Sequence, residues 1–155
     1  MQKFLFYILC FLFTIFFFST GKIIAQAFNL KQGISGFVYR ISGNQMPSPN
    51  RTPSKLNGIK TTLFIFEVTN IKDVARKETS SFYYSINKKL ISTIHSDSVG
   101  HFYIQLPIGV YSVFTKANRL FYANTFDEKN NIAPVKVEKG KISVITIKMD
   151  AGAVY

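Results

Sequence analysis

Apolar and polar positions alternate with a period of two along most of the chain beyond residue 33, and helical spacing is nearly absent. The alternation predicts strands over residues 34–41, 60–69, 89–96, 101–106, 110–116, 120–124, 135–138 and 142–149. In the fourth of these, Phe102, Ile104 and Leu106 share one face while His101, Tyr103 and Gln105 share the other. In the last, Ile145, Ile147 and Met149 oppose Val144, Thr146 and Lys148. One face of each strand therefore belongs to a core. Short strands at this density predict an all-β fold, an antiparallel Greek-key β-sandwich of seven or eight strands, with at most one short helix, in residues 70–78.

The turns between these strands have their own chemistry. In Ser96-Asp97-Ser98-Val99-Gly100 an Asp side chain is placed to accept backbone N–H bonds, and a Gly is free to take positive φ. Leu106-Pro107-Ile108-Gly109 is expected to turn in the same way, with Pro107 fixing one φ and Gly109 freeing another. Lys139-Gly140 makes a tight connection into the last strand. Two stretches read as long loops: residues 42–59, with Pro47, Pro49 and Pro53, and residues 70–87, which mix charge with Phe82-Tyr83-Tyr84.

The runs Ile34-Ser35-Gly36-Phe37-Val38, Ser96-Asp97-Ser98-Val99-Gly100-His101-Phe102 and Leu106-Pro107-Ile108-Gly109-Val110-Tyr111-Ser112-Val113 together resemble the carboxypeptidase regulatory-like domain. That family's pattern is G-x-V, then T-D-x-x-G-x-F, then L-P-x-G-x-Y-x-V. The closing segment from Val135 through Gly140 into residues 142–149 is similar to the family's final hairpin, and residues 120–127 look like its small exported stand-alone members in Bacteroidota. The resemblance covers roughly residues 34–150. It implies a transthyretin-like (prealbumin-like) sandwich that is not catalytic and is usually appended to enzymes or outer-membrane receptors.

Composition changes the picture at the start of the chain. Met1-Gln2-Lys3 is short and basic, and residues 4–18 are apolar apart from Thr14. Fifteen helical residues at about 1.5 Å each reach roughly 22 Å, short of the ~30 Å hydrocarbon core. With Ala25-Gln26-Ala27 following, residues 1–27 read as a cleaved secretory signal peptide, and residues 28–155 as a single exported domain with no membrane span. The destination is the periplasm, the outer-membrane surface or the exterior. Of the 19 Lys+Arg, Lys3 and Lys22 leave with the leader, so 17 face 8 Asp+Glu, a net charge of +9. The single Cys, Cys10, leaves too, which excludes a disulfide scaffold or thiol chemistry. A basic exported domain favours acidic surfaces, and export excludes nucleic acid as a partner.

Candidate chemistry is sparse. His95 and His101, the only histidines, flank Asp97; on paired strands the three side chains could ligate zinc or copper, or serve a small hydrolytic enzyme. No G-x-S-x-G is present. Asp127, Glu128, Asn130 and Asn131 offer oxygens for a calcium loop, without a recognised ligand spacing. Phe82, Tyr83 and Tyr84, adjacent aromatics in a polar stretch, are the best candidate contact for a glycan or protein, with Arg51 and Lys55 as a basic rim. The sequence therefore predicts a non-catalytic exported module that binds or scaffolds cell-envelope protein or glycan without a cofactor. Asp97, Gly100, Pro107 and Gly109 are assigned to structural turns.

Overall fold

A computed structural model describes residues 31–46 and 56–154, the side chains of 151–154 excepted. Residues 1–27, read above as a signal peptide, the prolines at 47, 49 and 53, and Arg51 and Lys55 lie outside the described residues. The described residues form eleven strands: β1 (Gly33–Asn44), β2 (Asn57–Gly58), β3 (Thr62–Glu67), β4 (Val74–Arg76), β5 (Phe82–Ile86), β6 (Leu90–His95), β7 (His101–Gln105), β8 (Gly109–Ala117), β9 (Leu120–Tyr122), β10 (Pro134–Val137) and β11 (Ile142–Val154). Among the described residues, the only helical segment is one 3-10 turn, Ile71–Asp73, capped by Asn70.

The strands make two sheets, as an all-β sandwich requires. Sheet A places β1 between β11 on one side and β7 and β2 on the other. Sheet B runs β4-β5-β9-β8-β3-β6, with β10 joining the edge of β8 beside β9. Every pairing is antiparallel but one: β1 and β11 run parallel, Gly33 opposite Ile142 and Arg40 opposite Met149.

Alternation sets the core between the sheets. Ile34 and Val38 of β1, Phe102 of β7 and Met149 of β11 meet Leu63 and Ile65 of β3, Val113 of β8 and Val135 and Val137 of β10. Burial of such side chains is worth roughly 1.5–3 kcal/mol each. Strand β8 is buried on both faces from Tyr111 to Thr115. Its outer residue Phe114 belongs to a second cluster with Phe66, Tyr83, Ala123 and Ile132 on the far side of sheet B. That cluster lies beneath chain segments laced together by Asn70: its amide donates to the Lys129 carbonyl (2.7 Å), and Ile132 N–H donates to Thr69 O (2.8 Å).

Several sequence expectations need correcting. The 70–87 stretch is not a loop: after the 3-10 turn it supplies β4 and β5, which pair with each other and extend sheet B through β9. Its charged and Ser-rich residues masked a strand whose buried residue faces the second cluster instead of the inter-sheet core. Those elements, with two-residue β2, raise the strand count above eight. The expected final hairpin is a crossing: Glu138 O accepts from Lys141 N (3.2 Å) around Gly140 (φ +67°), and β10 and β11 belong to different sheets.

Candidate functional site

The turn predicted at Asp97 is built as expected. Asp97 Oδ1 accepts from Val99 N (3.0 Å) and His101 N (2.8 Å), and the Asp97 carbonyl accepts from Gly100 N (3.1 Å). Gly100 has φ +84°, and a Cβ there would collide with the Val38 carbonyl. Gly109 differs from expectation. It is absent from the positive-φ glycines and lies in β8, where a Cβ would meet the Tyr111 hydroxyl at 3.2 Å. Tyr111 folds back over it to donate to the Pro107 carbonyl (3.0 Å). Gly109 therefore makes room for a ring.

The two histidines do not face each other. β6 belongs to sheet B and β7 to sheet A, so the Asp97 turn is a corner between sheets instead of a hairpin. His95 Nδ1 lies 3.1 Å from Thr62 Oγ1, and His101 Nε2 lies 3.3 Å from Ser35 Oγ. Among the described residues no three His, Cys, Asp or Glu side chains gather as a metal ligand set. The Asp127 carboxylate is also committed: Oδ1 accepts from Lys129 N (2.9 Å) and Asn131 N (2.8 Å), and Oδ2 accepts from the Asn131 amide (2.9 Å). The Asn131 hydrogen bonds in particular hold this carboxyl below its usual range.

The aromatic triplet is split by its place in β5. Phe82 turns toward the inter-sheet core, edge-on to Tyr122. Tyr83 is fully buried against Phe114 and donates to the Ala123 carbonyl (3.3 Å). Burial pushes its hydroxyl above the ordinary tyrosine range, partly offset by Arg76. Only Tyr84 is open to solvent, at 58%. The three rings therefore do not form one exposed platform.

A larger apolar surface lies on the outer face of sheet A. Register brings together three adjacent strands in rows: Tyr103, Ser35 and Val144; then His101, Phe37 and Thr146. Ile142 and Tyr39 flank these rows on the same face. Phe37 stacks on Tyr39 with ring centroids 6.0 Å apart and meets the His101 ring at 5.1 Å, tilted by 58°. Val144 is 77% exposed and Tyr103 47%, values usual for charged side chains and costly for these. Alternation placed Tyr103 and Val144 on the non-core face, and that was the available signal. Phe37 and Tyr39 could not be sorted, because both faces of β1 read as apolar.

A cleft of about 340 Å³ opens at the side of the sandwich, between β11 and the gap where the chain leaves β9 and returns as β10. Its apolar wall includes Ile41, Val113, Val135, Ile145 and Ile147, and Tyr122, Asn124 and Asp150 stand at its polar end. Tyr122 donates to the Asp150 carboxylate, and Asn124 Nδ2 donates to the Lys148 carbonyl (3.2 Å). No helix among the described residues is long and apolar enough to cross a membrane. No protein-family model, no curated protein and no solved structure matches the chain.

Proposed function

We propose that the protein is a non-catalytic exported module that binds a cell-envelope protein or glycan through the outer face of sheet A. The observation that carries this reading is the contiguous surface of Phe37, Tyr39, Tyr103, Val144 and Ile142 on three neighbouring strands. Rings and aliphatic side chains bury large areas at little entropic cost, and Ser35, Thr146 and Gln105 stand among them as hydrogen-bonding groups. The leader-like start of the sequence and the turn motifs shared with carboxypeptidase regulatory-like domains support the same reading. It shifts the expected contact away from Phe82 and Tyr83 and keeps Tyr84 outside it. The alternative, an enzyme using His95, His101 and Asp97, gains no support from side chains placed on two sheets.

The test is retention of envelope components on the immobilised protein. Apolar burial is insensitive to screening, so bound material should survive about half-molar salt, where the Debye length falls to only a few ångströms. It should be lost from a Phe37→Ala, Tyr103→Ala double variant that melts like the parent. Treating the extract with protease or with periodate then separates a protein from a glycan. Material stripped by salt and retained by the double variant would assign binding to the basic residues and overturn the proposal.

A further inference from the structure

We infer that one end of the sandwich docks on a membrane surface rich in anionic lipid headgroups, with Ile108 entering the headgroup layer and the lysines around it meeting the charges. Gln32 ties three chain segments together at that end. Its carbonyl accepts from Leu106 N (3.4 Å), its amide donates to Leu106 O (3.1 Å), and its Oε1 accepts from Gly140 N (3.3 Å). Beside it, Gly33 N donates to Lys141 O (3.1 Å). The start of β1, the β7–β8 turn at Pro107-Ile108 and the β10–β11 turn at Lys139-Gly140 therefore converge, and the pairing of Val137 with Gly109 closes the group.

Residues 31–33, 105–110 and 134–142 carry four lysines, Lys31, Lys136, Lys139 and Lys141, against one carboxylate, Glu138. All four lysines are exposed. Lys136 and Lys141 share Glu138 at 2.9 and 2.8 Å, while among the described residues Lys31 and Lys139 enter no ion pair. Glu67 of β3 pairs with Tyr111 further along sheet B, and it has Lys89 beside it, the Lys89 carbonyl accepting from its N–H (3.1 Å). Ile108 stands in its turn at 60% exposure, and Val110 of sheet B and Ile142 of sheet A are exposed behind it. A soluble polyanion would use the cations and leave these aliphatic side chains in water. A bilayer interface takes both, ammonium groups at the level of the phosphates and apolar groups just beneath them. The outer-face contact proposed above shares only Ile142 with this end, so the two surfaces can be engaged separately.

The test uses protein recovered from the cell envelope and vesicles of phosphatidylcholine with about 30% phosphatidylglycerol, against vesicles of phosphatidylcholine alone. The chain contains no Trp, so Ile108→Trp introduces a single reporter. Its emission should shift to the blue on the anionic vesicles and be quenched by brominated acyl chains, with neither change on the neutral ones. Val99→Trp, in an exposed turn at the opposite end of β7, should show no shift. The double variant Lys31→Gln, Lys139→Gln and the single variant Ile108→Ser should each weaken co-sedimentation of the unlabelled protein with anionic vesicles by about tenfold. The Phe37→Ala, Tyr103→Ala variant should bind these vesicles as the parent does, which separates this site from the outer face of sheet A. Failure to sediment with anionic vesicles, equal binding to neutral ones, a shift in Val99→Trp matching that in Ile108→Trp, or loss of binding in the outer-face variant would overturn the proposal. Binding with no blue shift in Ile108→Trp would also overturn it and mark a site for a soluble polyanion.

Discussion

Two Asp turns with matching hydrogen bonds show how far one residue's surroundings decide its tolerance. In each, the carboxylate accepts from N–H groups two and four residues on, and the residue three on takes positive φ: Gly100 at +84° and Asn130 at +61°. Asn enters that region at modest cost, so dihedral angle alone would make the two positions interchangeable. Packing breaks the equivalence, because Gly100 lies against the Val38 carbonyl and Gly58. Gly100→Asn should therefore destabilise by about 2 kcal/mol or more, and Asn130→Gly should stay within roughly 0.5 kcal/mol of the parent in urea denaturation. Gly109→Val should cost less than Gly100→Val, as Tyr111 can shift and no positive φ is involved.

Titration gives a second residue-level expectation. Lys141 and Lys136 hydrogen-bond Glu138 at 2.8 and 2.9 Å and hold its carboxyl down to about 2. Its folded value lies below its unfolded value, so its stabilisation is present above about pH 4.5 and is lost as pH falls toward 2. The group is exposed, so added salt should raise the midpoint seen by side-chain carboxyl NMR, and Lys141→Ala should raise it further. A midpoint unmoved by either change would show that the ion pairs do not govern it.

Strand β5 gives the element-scale comparison. Adjacent Tyr83 and Tyr84 differ only in parity, one facing the second cluster and the other solvent. Tyr83→Ala should cost about 3–5 kcal/mol, and Tyr84→Ala should change thermal stability by less than roughly 0.5 kcal/mol. Strands with one polar face, such as His101-Phe102-Tyr103-Ile104-Gln105, were legible from alternation, and the Asp97 turn from its side-chain chemistry. What the sequence hid follows from contacts distant in the chain. β5 is a strand because Tyr122 and Phe121 pair with Phe82 and Tyr83, and no local pattern in a Ser- and charge-rich stretch records that. The outer-face cluster of Phe37, Tyr103 and Val144 was half legible: its members lay on identifiable strands, but β1 neighbouring both β7 and β11 is a property of topology. The Asp127 turn had a readable spacing, Asp followed by Asn three residues later, obscured because Asn stood where Gly was sought.

At the scale of the whole molecule, each sheet presents a different character. Sheet B is covered on both sides for part of its length, while sheet A presents an apolar outer face and, among the described residues, pairs β11 with β1 alone. The packing that stabilises the fold and the outer-face binding proposed above thereby fall to separate layers. Replacing Val144 by Lys should leave the melting temperature within a few degrees of the parent while removing retention on the outer face, since a surface change seldom exceeds roughly 0.5 kcal/mol.

The parallel pairing of β1 with β11 also ties the molecule's formation to time. Gly33 and Ile142 are partners, so the central strand of sheet A waits for a strand that lies far downstream in the chain. Closing so long a loop brings no contact until the entropy of closure has been met, which makes such topologies slow to fold. A chain truncated before Ile142 should remain unfolded by circular dichroism and be degraded readily. A chain that includes β11 should acquire protease resistance in one late step, only after β11 has emerged.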